Sequence, residues 1–569
     1  MKLNCSTILI FLIIIFYTAL PLRAAENISG TEFRLMFNRA GSASSSKYLI
    51  ILSAVNTSGT VEIPGLSFSQ PFTVSPGVGT KVALPVDAYV TCHDCIEQKA
   101  VHITADNDVV VYGYNMATYS SDGFLGIPVS ALGTEYFIST FGNFTTDPEM
   151  GVAASENNTT VTINPSVSTG SRPAGVPFNI VLNEGDAYQL YENLDLTGTH
   201  VTADKPIAVF SAHENVFVPS MTLAGSSSDH IVEQNFPAYS WGKEFITAPT
   251  GNYMINDTYR VVALSDGTAV NINGAVVATI NRGKFYQTAL SMPSRITTSK
   301  PAQVMQYMHS IAYGGKDPSM ITVIPCEQFR NSYIVSTVNP SIGTNYINII
   351  APLASVGLLT LDGNPVPAGD YIAVTGSPYY YVRIYVSQGV HEISAPDPFG
   401  VYVYGTGDYE SCGYPGGSAV RDIRPTLTAT MTATLTATET ATPTATCTAT
   451  ASETVTMTST AVPTATATNT PPPLMLILKG NYPNPFKYDT DIIYWLSVDA
   501  VVSVKIFTVS GEVLLEKQGI NALAGYNRFY WKGKNRANKD TASGLFIYKV
   551  TACTESEKKS EISKLVRVR

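Results

Sequence analysis

Apolar and polar residues alternate in short runs along most of this chain. Val109-Val-Val-Tyr112, Ile207-Ala-Val-Phe210, Val501-Val-Ser-Val-Lys-Ile-Phe507 and Leu545-Phe-Ile-Tyr-Lys-Val550 are rich in β-branched and aromatic residues, and Gly, Asn, Pro or Ser stands between such runs. Beyond the apolar run from Ile8 to Leu22, no stretch sustains the 3.6-residue period of an amphipathic helix. The pattern predicts an all-β protein made of many short strands.

Between Thr31 and Pro415 three phrases recur in the same order. The first is Ile103-Thr-Ala-Asp106, Val201-Thr-Ala-Asp-Lys-Pro206, Ile296-Thr-Thr-Ser-Lys-Pro301 and Ile393-Ser-Ala-Pro-Asp-Pro398, each leading into an apolar run. Its second residue stands at 104, 202, 297 and 394, giving lags of 98, 95 and 97. The second phrase is Val61-Glu-Ile-Pro-Gly65, Val161-Thr-Ile-Asn-Pro165, Val270-Asn-Ile-Asn-Gly274 and Leu359-Thr-Leu-Asp-Gly363. The third is a strand opening at Tyr48, Tyr136, Phe245 and Tyr333, with Pro128, Pro237 and Pro325 eight residues before the last three. These phrases predict four tandem strand-rich units opening near 48, 136, 245 and 333. A unit of roughly 100 residues has the size of a β-sandwich. It is about twice a propeller blade, so a propeller with two blades per unit is the alternative.

The ends add further segments. Basic Met1-Lys2, the apolar run and Arg23-Ala-Ala25 read as a secretory signal peptide over residues 1–25, the run being shorter than the ~20 residues a membrane span needs. The repeat region then covers 26–420. Residues 421–473 are almost a two-letter text of Thr and Ala ending in Pro471-Pro-Pro473, with no large apolar face to offset ordering entropy, and are expected to form a disordered, extended stalk. Residues 474–569 carry six or seven strand signals and predict a terminal β-sandwich.

Charge separates the same segments. The 569 residues are 45% hydrophobic and only 14% charged, with a net charge of −9, which disfavours nucleic acid as a partner. From Leu474 onward 15 Lys and Arg face 9 Asp and Glu, so the remainder holds 35 − 15 = 20 basic against 44 − 9 = 35 acidic residues. An acidic body and a basic tail read as separate modules.

Two resemblances attach to these residues. Phe124-Leu-Gly-Ile-Pro-Val-Ser-Ala-Leu-Gly-Thr-Glu-Tyr136, Asp229-His-Ile-Val-Glu-Gln-Asn-Phe-Pro237 and Trp241-Gly-Lys-Glu-Phe-Ile246 resemble the N-terminal domain of the IgG Fc-binding protein family. That resemblance spans most of Glu32 to Gly417 and implies extracellular binding or adhesion, without catalytic residues. Tyr482-Pro-Asn-Pro-Phe486, Trp531-Lys-Gly533 and Ala542-Ser-Gly-Leu-Phe546 resemble the immunoglobulin-like sorting module of bacterial type IX secretion cargo, related to flagellar hook-capping modules. It implies recognition by an outer-membrane export machine and delivery to the cell surface.

Candidate chemistry is sparse. Cys92-His-Asp-Cys95 could be half a zinc site or a redox pair, but no second CxxC supplies zinc ligands and no strand–helix setting suits redox chemistry, so a structural disulfide is expected. Cys326 and Cys412 fall at repeat-unit edges where the family resembled usually has other residues, and a second bridge between them is expected. The loops after the repeated strand are the candidate binding loops. They hold Asp122, Asp229, Asp317 and Asp408 late in the loop and His213 and His309 near the start, with His230 beside Asp229. They could converge on one rim for a cation or polar ligand, or each Asp could accept local backbone N–H bonds in its turn. Ser211 or Ser220 with His213 and Asp229 would suit a hydrolase, but no nucleophile elbow, zinc helix or phosphate loop accompanies them. The expectation is a non-enzymatic, exported binding or adhesion protein with no cofactor, whose partners are an extracellular protein or glycan and the export machinery. A structural envelope component is the alternative.

Overall fold

The computed structural model describes residues 28–423 and 474–568, apart from 41–45, 118, 143–145, 171, 224, 251–255, 338–341, 483 and 524. The expected signal peptide and all but three residues of the expected stalk lie outside the described residues, as do Cys5 and Cys447. The described residues fall into two compact bodies on either side of residue 429. They contain strands and short 3-10 turns, with no α-helix among them.

Each unit of the first body is strung on one long strand: Val101–Ala117, His200–Val216, Arg295–Tyr307 and Val390–Gly407. The first recurring phrase lies in the first half of that strand, and the partners change at its end. The first half pairs with an opening strand (Gly30–Leu35, Gly133–Phe137, Gly242–Ile246, Arg330–Ser336) and with a hairpin strand such as Thr57–Ile63 or Thr159–Asn164. The second half pairs with a central strand (Ser46–Leu52, Pro148–Ala154, Asp257–Ala263, Thr344–Pro352) and with a return strand (Ser120–Leu125, Asp229–Gln234, Met320–Val323, Glu410–Pro415). Proline has no N–H for the ladder, so a straight run through Pro206 or Pro301 is broken. The register shifts there, between Thr202 and Ile207 and between Thr297 and Ala302. The four sheets accordingly take barrel or half-barrel shapes.

Unit 1 opens earlier than its sequence suggests. Phe33 lies opposite Ile103 as Tyr136 lies opposite Val201, Phe245 opposite Ile296 and Tyr333 opposite Ile393. Tyr48 is on the central strand instead. Both strand types begin with an aromatic and an apolar pair, so local sequence alone does not separate them. Each recurring proline packs back on its own unit's opening glycine: a Cβ on Gly30, Gly133 or Gly242 would stand 2.6, 2.6 or 2.3 Å from Cβ of Pro128, Pro237 or Pro325.

The units are not beads on a string. Unit 1 meets unit 2 through Asn38 Nδ2 and Gln189 Oε1, 3.1 Å, and unit 2 meets unit 3 where Tyr307 OH donates to Thr140 O, 2.9 Å. Asn348 Nδ2 donates to Ala248 O between units 4 and 3, 3.1 Å. Tyr114 and Tyr414 join their hydroxyls at 2.7 Å, closing unit 4 onto unit 1. The return strands lie innermost, and Ser120–Leu125, Asp229–Gln234 and Glu410–Pro415 are buried along their whole length.

The second body is a seven-strand, two-sheet module. Leu476–Tyr482, Thr490–Leu496 and Gly525–Trp531 form one sheet. Ala500–Thr508, Val513–Ala522, Gly544–Cys553 and Lys558–Arg567 form the other. Val502, Val504 and Ile506 alternate inward, and Trp531 packs between Phe486 and Phe546 with ring centroids 5.4 and 5.7 Å away. The Phe486, Trp531 and Phe546 of the terminal module's motifs are thus core residues.

Candidate functional site

The aspartates of the candidate loops do come together, but inside the ring. Asp122 and Asp229 are fully buried on return strands, and Asp317 lies just before the return strand of unit 3. Asp122 is the hub. Its Oδ1 accepts from Gly123 N at 2.9 Å, Ser319 Oγ at 2.9 Å and Gly413 N at 3.3 Å. Its Oδ2 accepts from Val232 N at 3.2 Å and Met320 N at 3.3 Å. One carboxylate therefore ties its own unit to the other three. Backbone N–H groups are obligatory donors, and at the crossing of four sheets no ladder partner remains for them. Burial pushes the Asp122 carboxyl up, and these bonds oppose the rise.

Around the hub, Asp229 Oδ1 accepts from Ser121 N and His230 N, at 2.5 and 2.8 Å, while its Oδ2 is buried with no hydrogen-bond partner. Burial raises its carboxyl, as do the charges of Asp317, Glu410 and Asp122. Glu233 accepts from Thr322 N at 3.0 Å. Burial and the nearby Glu410 push Asp317 up to about 7. The residue that unit 4 contributes is Glu410, which accepts from Tyr119 N at 2.7 Å and from Ser121 Oγ. Asp408 is exposed in the preceding turn and does not join the cluster. Among the described residues, no group of three or more His, Cys, Asp or Glu side chains is placed to hold a metal ion.

The histidines are also interior. His230 Nδ1 lies 2.9 Å from His213 O, and burial lowers His230 to about 4 and His213 to about 3. His309 is at the start of the unit 3 turn, 2.9 Å from Thr258 Oγ1, and burial lowers it to about 4. Ser211 Oγ accepts from Ser139 N at 3.0 Å, and Ser220 is on the exposed turn beside Thr222. The rim reading thus meets a burial pattern it did not anticipate. The aspartates bind backbone N–H groups, as a turn-capping reading would have it, but mostly those of neighbouring units.

Beside polar residues such as Asp408, Thr222 and Lys316, the turns expose large apolar side chains. Tyr119 is 62% and Tyr409 56% exposed, and their rings meet edge to face at 5.9 Å across units 1 and 4. Met221, Leu223 and Ile311 stand out from the turns of units 2 and 3, where Thr222 Oγ1 and Tyr313 OH are 2.9 Å apart. The strands below are locked by the hub, so these tips are presented from a fixed base. Single exposed apolar residues are ordinary, but an exposed aromatic pair that joins two units is a candidate contact surface. Sequence reasoning missed Glu410, Ser121 and the tip residues; the registers that place them come from pairings between distant segments.

Cys92 and Cys95 are disulfide-bonded. The bridge closes a turn at Asp94, which receives Arg172 Nε at 2.9 Å and Tyr188 OH at 2.7 Å. It holds Cys95–Glu97 as an added strand on unit 2, with Cys95 opposite Gln189. The expected Cys326–Cys412 bridge is not formed. Cys412 lies opposite Gly405 among Tyr48, Tyr114 and Tyr414, at the place Asp122 takes in unit 1. Cys326 opens a turn beyond a return strand, beside Tyr379, Glu244 and Glu327. Edges that coincide in sequence are here at different levels of the strand.

With this geometry in place, three comparisons bear on kinship. Residues 122–405 match the family described as IgGFc binding protein. The IgGFc-binding protein of Homo sapiens is 26% identical over 356 residues, which is 59% of this chain and 6% of that protein. The chain thus spans a small fraction of that relative. Among solved structures, the crystal structure of dimeric latent PorU from Porphyromonas gingivalis aligns over 63% of this chain and 31% of that one, at 8% identity and a TM-score of 0.17, too weak a likeness to bear on the fold. The match starts at the hub aspartate and runs into the last long strand, so this chain belongs to the IgGFc binding protein family.

Proposed function

We propose that this chain is an exported binding protein that acts by docking an extracellular protein on the tip face of its ring rather than by catalysis. The exposed Tyr119–Tyr409 pair, held over the buried hub, carries the reading. Aromatic side chains on a rigid base lose little entropy on contact and dominate interface energetics. The family resemblance supports an extracellular protein partner, and IgG Fc, the ligand in the human relative's name, is the first probe. Surface plasmon resonance against IgG Fc should show binding by the full chain. Tyr119→Ser/Tyr409→Ser should weaken it by about 2 kcal/mol or more, roughly thirtyfold. Undiminished binding by the double variant removes the tip face from the reading, and no binding by the unaltered chain removes Fc.

The module from Leu474 is proposed to direct passage across an outer membrane, with the Thr/Ala-rich segment as spacer. It has its own two-sheet core, which supports treating it as separable. In a host with such an export machine, deleting residues 474–569 should leave the body in the periplasm, scored by fractionation. Normal surface amounts of the truncated chain would leave the module as a sandwich without a sorting role.

A further inference from the structure

Three of the four junctions in the ring are closed by charge, and the fourth is not. At the residue two positions into each opening strand, units 1 to 3 carry Glu32, Glu135 and Glu244, opposite Thr104, Thr202 and Thr297. Glu32 pairs with Arg34 at 3.0 Å, and Arg34 also reaches Glu184 of unit 2. Glu135 pairs with Arg282 of unit 3 at 2.6 Å. Glu244 pairs with Arg295 at 2.7 Å, whose Nη1 reaches Gly376 O of unit 4 at 3.1 Å. In unit 4 the same register position, opposite Ser394, is Ser332.

The position two residues before it differs as well. Gly30, Gly133 and Gly242 are packed against closing prolines, but no fifth unit follows unit 4, and Arg330 stands there opposite Phe399. Arg330 is half-buried, with its guanidinium 5.7 Å from the Tyr333 ring centroid. Among the described residues no carboxylate lies within salt-bridge distance of it, and its side chain makes no hydrogen bond. Where unit 4 closes on unit 1 a cleft of about 530 Å³ remains, lined by Arg330, Ser332, Ser394 and Thr360 of unit 4 and by Ser53 and Asp108 of unit 1. That volume is within the range of small-ligand pockets. The segment before the long strand, which runs over 84–100 in unit 1 and 192–199 in unit 2, is only 387–389 in unit 4.

We infer that this ring-closing cleft is a binding site for an oxyanion-bearing saccharide. A partly desolvated guanidinium with no carboxylate or hydrogen-bond acceptor on it is the group best suited to a carboxylate or sulfate, because its planar fork donates two parallel hydrogen bonds to either. The serine and threonine hydroxyls around it suit the hydroxyls of a sugar. Two carboxylates, Asp108 and the neighbouring Glu392, also line the cleft, but both are exposed, where water and salt screen their effect on an incoming anion. The site is distinct from the tip face and does not depend on it.

Isothermal titration calorimetry of the full chain tests this with a glucuronate disaccharide, a sulfated disaccharide, the uncharged parent disaccharide and inorganic sulfate. At least one charged disaccharide should bind at least tenfold more tightly than the uncharged parent and than sulfate alone, and the tighter of the two identifies the preferred oxyanion. Arg330→Gln should lower that affinity at least tenfold. Ser332→Glu supplies the carboxylate the other units have and keeps Arg330. It should abolish binding while leaving the thermal midpoint unchanged or raised, and it decides the matter should Arg330→Gln fail to fold. No binding by either charged disaccharide, equal binding by the uncharged parent, equal binding by inorganic sulfate, or affinity retained in Ser332→Glu would each overturn the site.

Discussion

Asp122→Asn should be among the most damaging single-atom changes available to this protein. All five groups around the Asp122 carboxyl are donors, and they come from all four units. A carboxylate accepts from all of them, whereas an amide turns one oxygen into a donor facing other donors. At least two hydrogen bonds are lost, and the N–H groups left behind are in a site with no exposure, where each unsatisfied group costs about 1–3 kcal/mol. The expected loss is about 3–5 kcal/mol, read as a lower denaturant midpoint for the body. Because the hub joins units that otherwise meet through pairwise contacts, the transition should also broaden or split.

The neighbouring carboxyl provides the control. Asp229 uses one oxygen for two N–H groups, and its other oxygen has no partner. An Asn there keeps both hydrogen bonds by presenting its amide oxygen to the same two N–H groups. Asp229→Asn should therefore change stability by less than about 1 kcal/mol, or raise it, since a buried like-charge contact is removed. Equal damage from the two substitutions would show that the hub is only one polar contact among many.

The repeat was legible because its physical cause is local. A Lys-Pro or Asp-Pro step must break a ladder wherever it occurs, so Pro206, Pro301 and Pro398 mark the bend of a long strand in the sequence itself. Unit 1 has Asn107-Asp108 there and Ala25 in place of a proline eight residues before Phe33, so its opening was misplaced at Tyr48. The inner strands were hardest to see. Ser120-Ser-Asp-Gly-Phe-Leu125 and Asp229-His-Ile-Val-Glu-Gln234 have the composition of loops, yet every residue in them is buried. Several of their polar groups bond to other units 108, 110 and 291 positions away, as in Ser121 N to Asp229, Val232 N to Asp122 and Gly413 N to Asp122. The recurrence of aspartate was visible; the inward direction depended on the ring closing. The same non-local cause separates Cys326 from Cys412 and puts Arg330 where Gly30, Gly133 and Gly242 pack against a closing proline.

Arg260→Met should separate units 2 and 3 energetically, and its cost should depend on pH. Arg260 projects from Asp257–Ala263 of unit 3 into unit 2, 5% exposed. Its Nη1 reaches Asp195 Oδ2 at 2.7 Å, Thr140 O at 2.6 Å and Thr197 Oγ1 at 2.9 Å. The guanidinium carbon lies 4.5 Å from the Phe141 ring and 4.4 Å from that of Phe285. Methionine keeps much of the volume between the rings but none of the charge. Burial alone would raise the Asp195 carboxyl, but Arg260 and the Thr197 hydrogen bonds outweigh it and hold the carboxyl below its ordinary value. A group whose folded pKa is depressed contributes stability above its unfolded value, near 4, and loses it as pH falls through the folded value. Without Arg260 that contribution disappears, and an unpaired carboxylate remains. The variant should therefore lose about 3 kcal/mol near pH 7, and the deficit should shrink below about pH 4 as Asp195 takes up a proton in both proteins. Adding Asp195→Asn to Arg260→Met should recover part of the loss at pH 7, giving a coupling of about 1 kcal/mol or more in a double-mutant cycle. A deficit of the same size at pH 3 and pH 7, with no recovery in the double variant, would assign the effect to the aromatic packing of Phe141 and Phe285 instead of the ion pair.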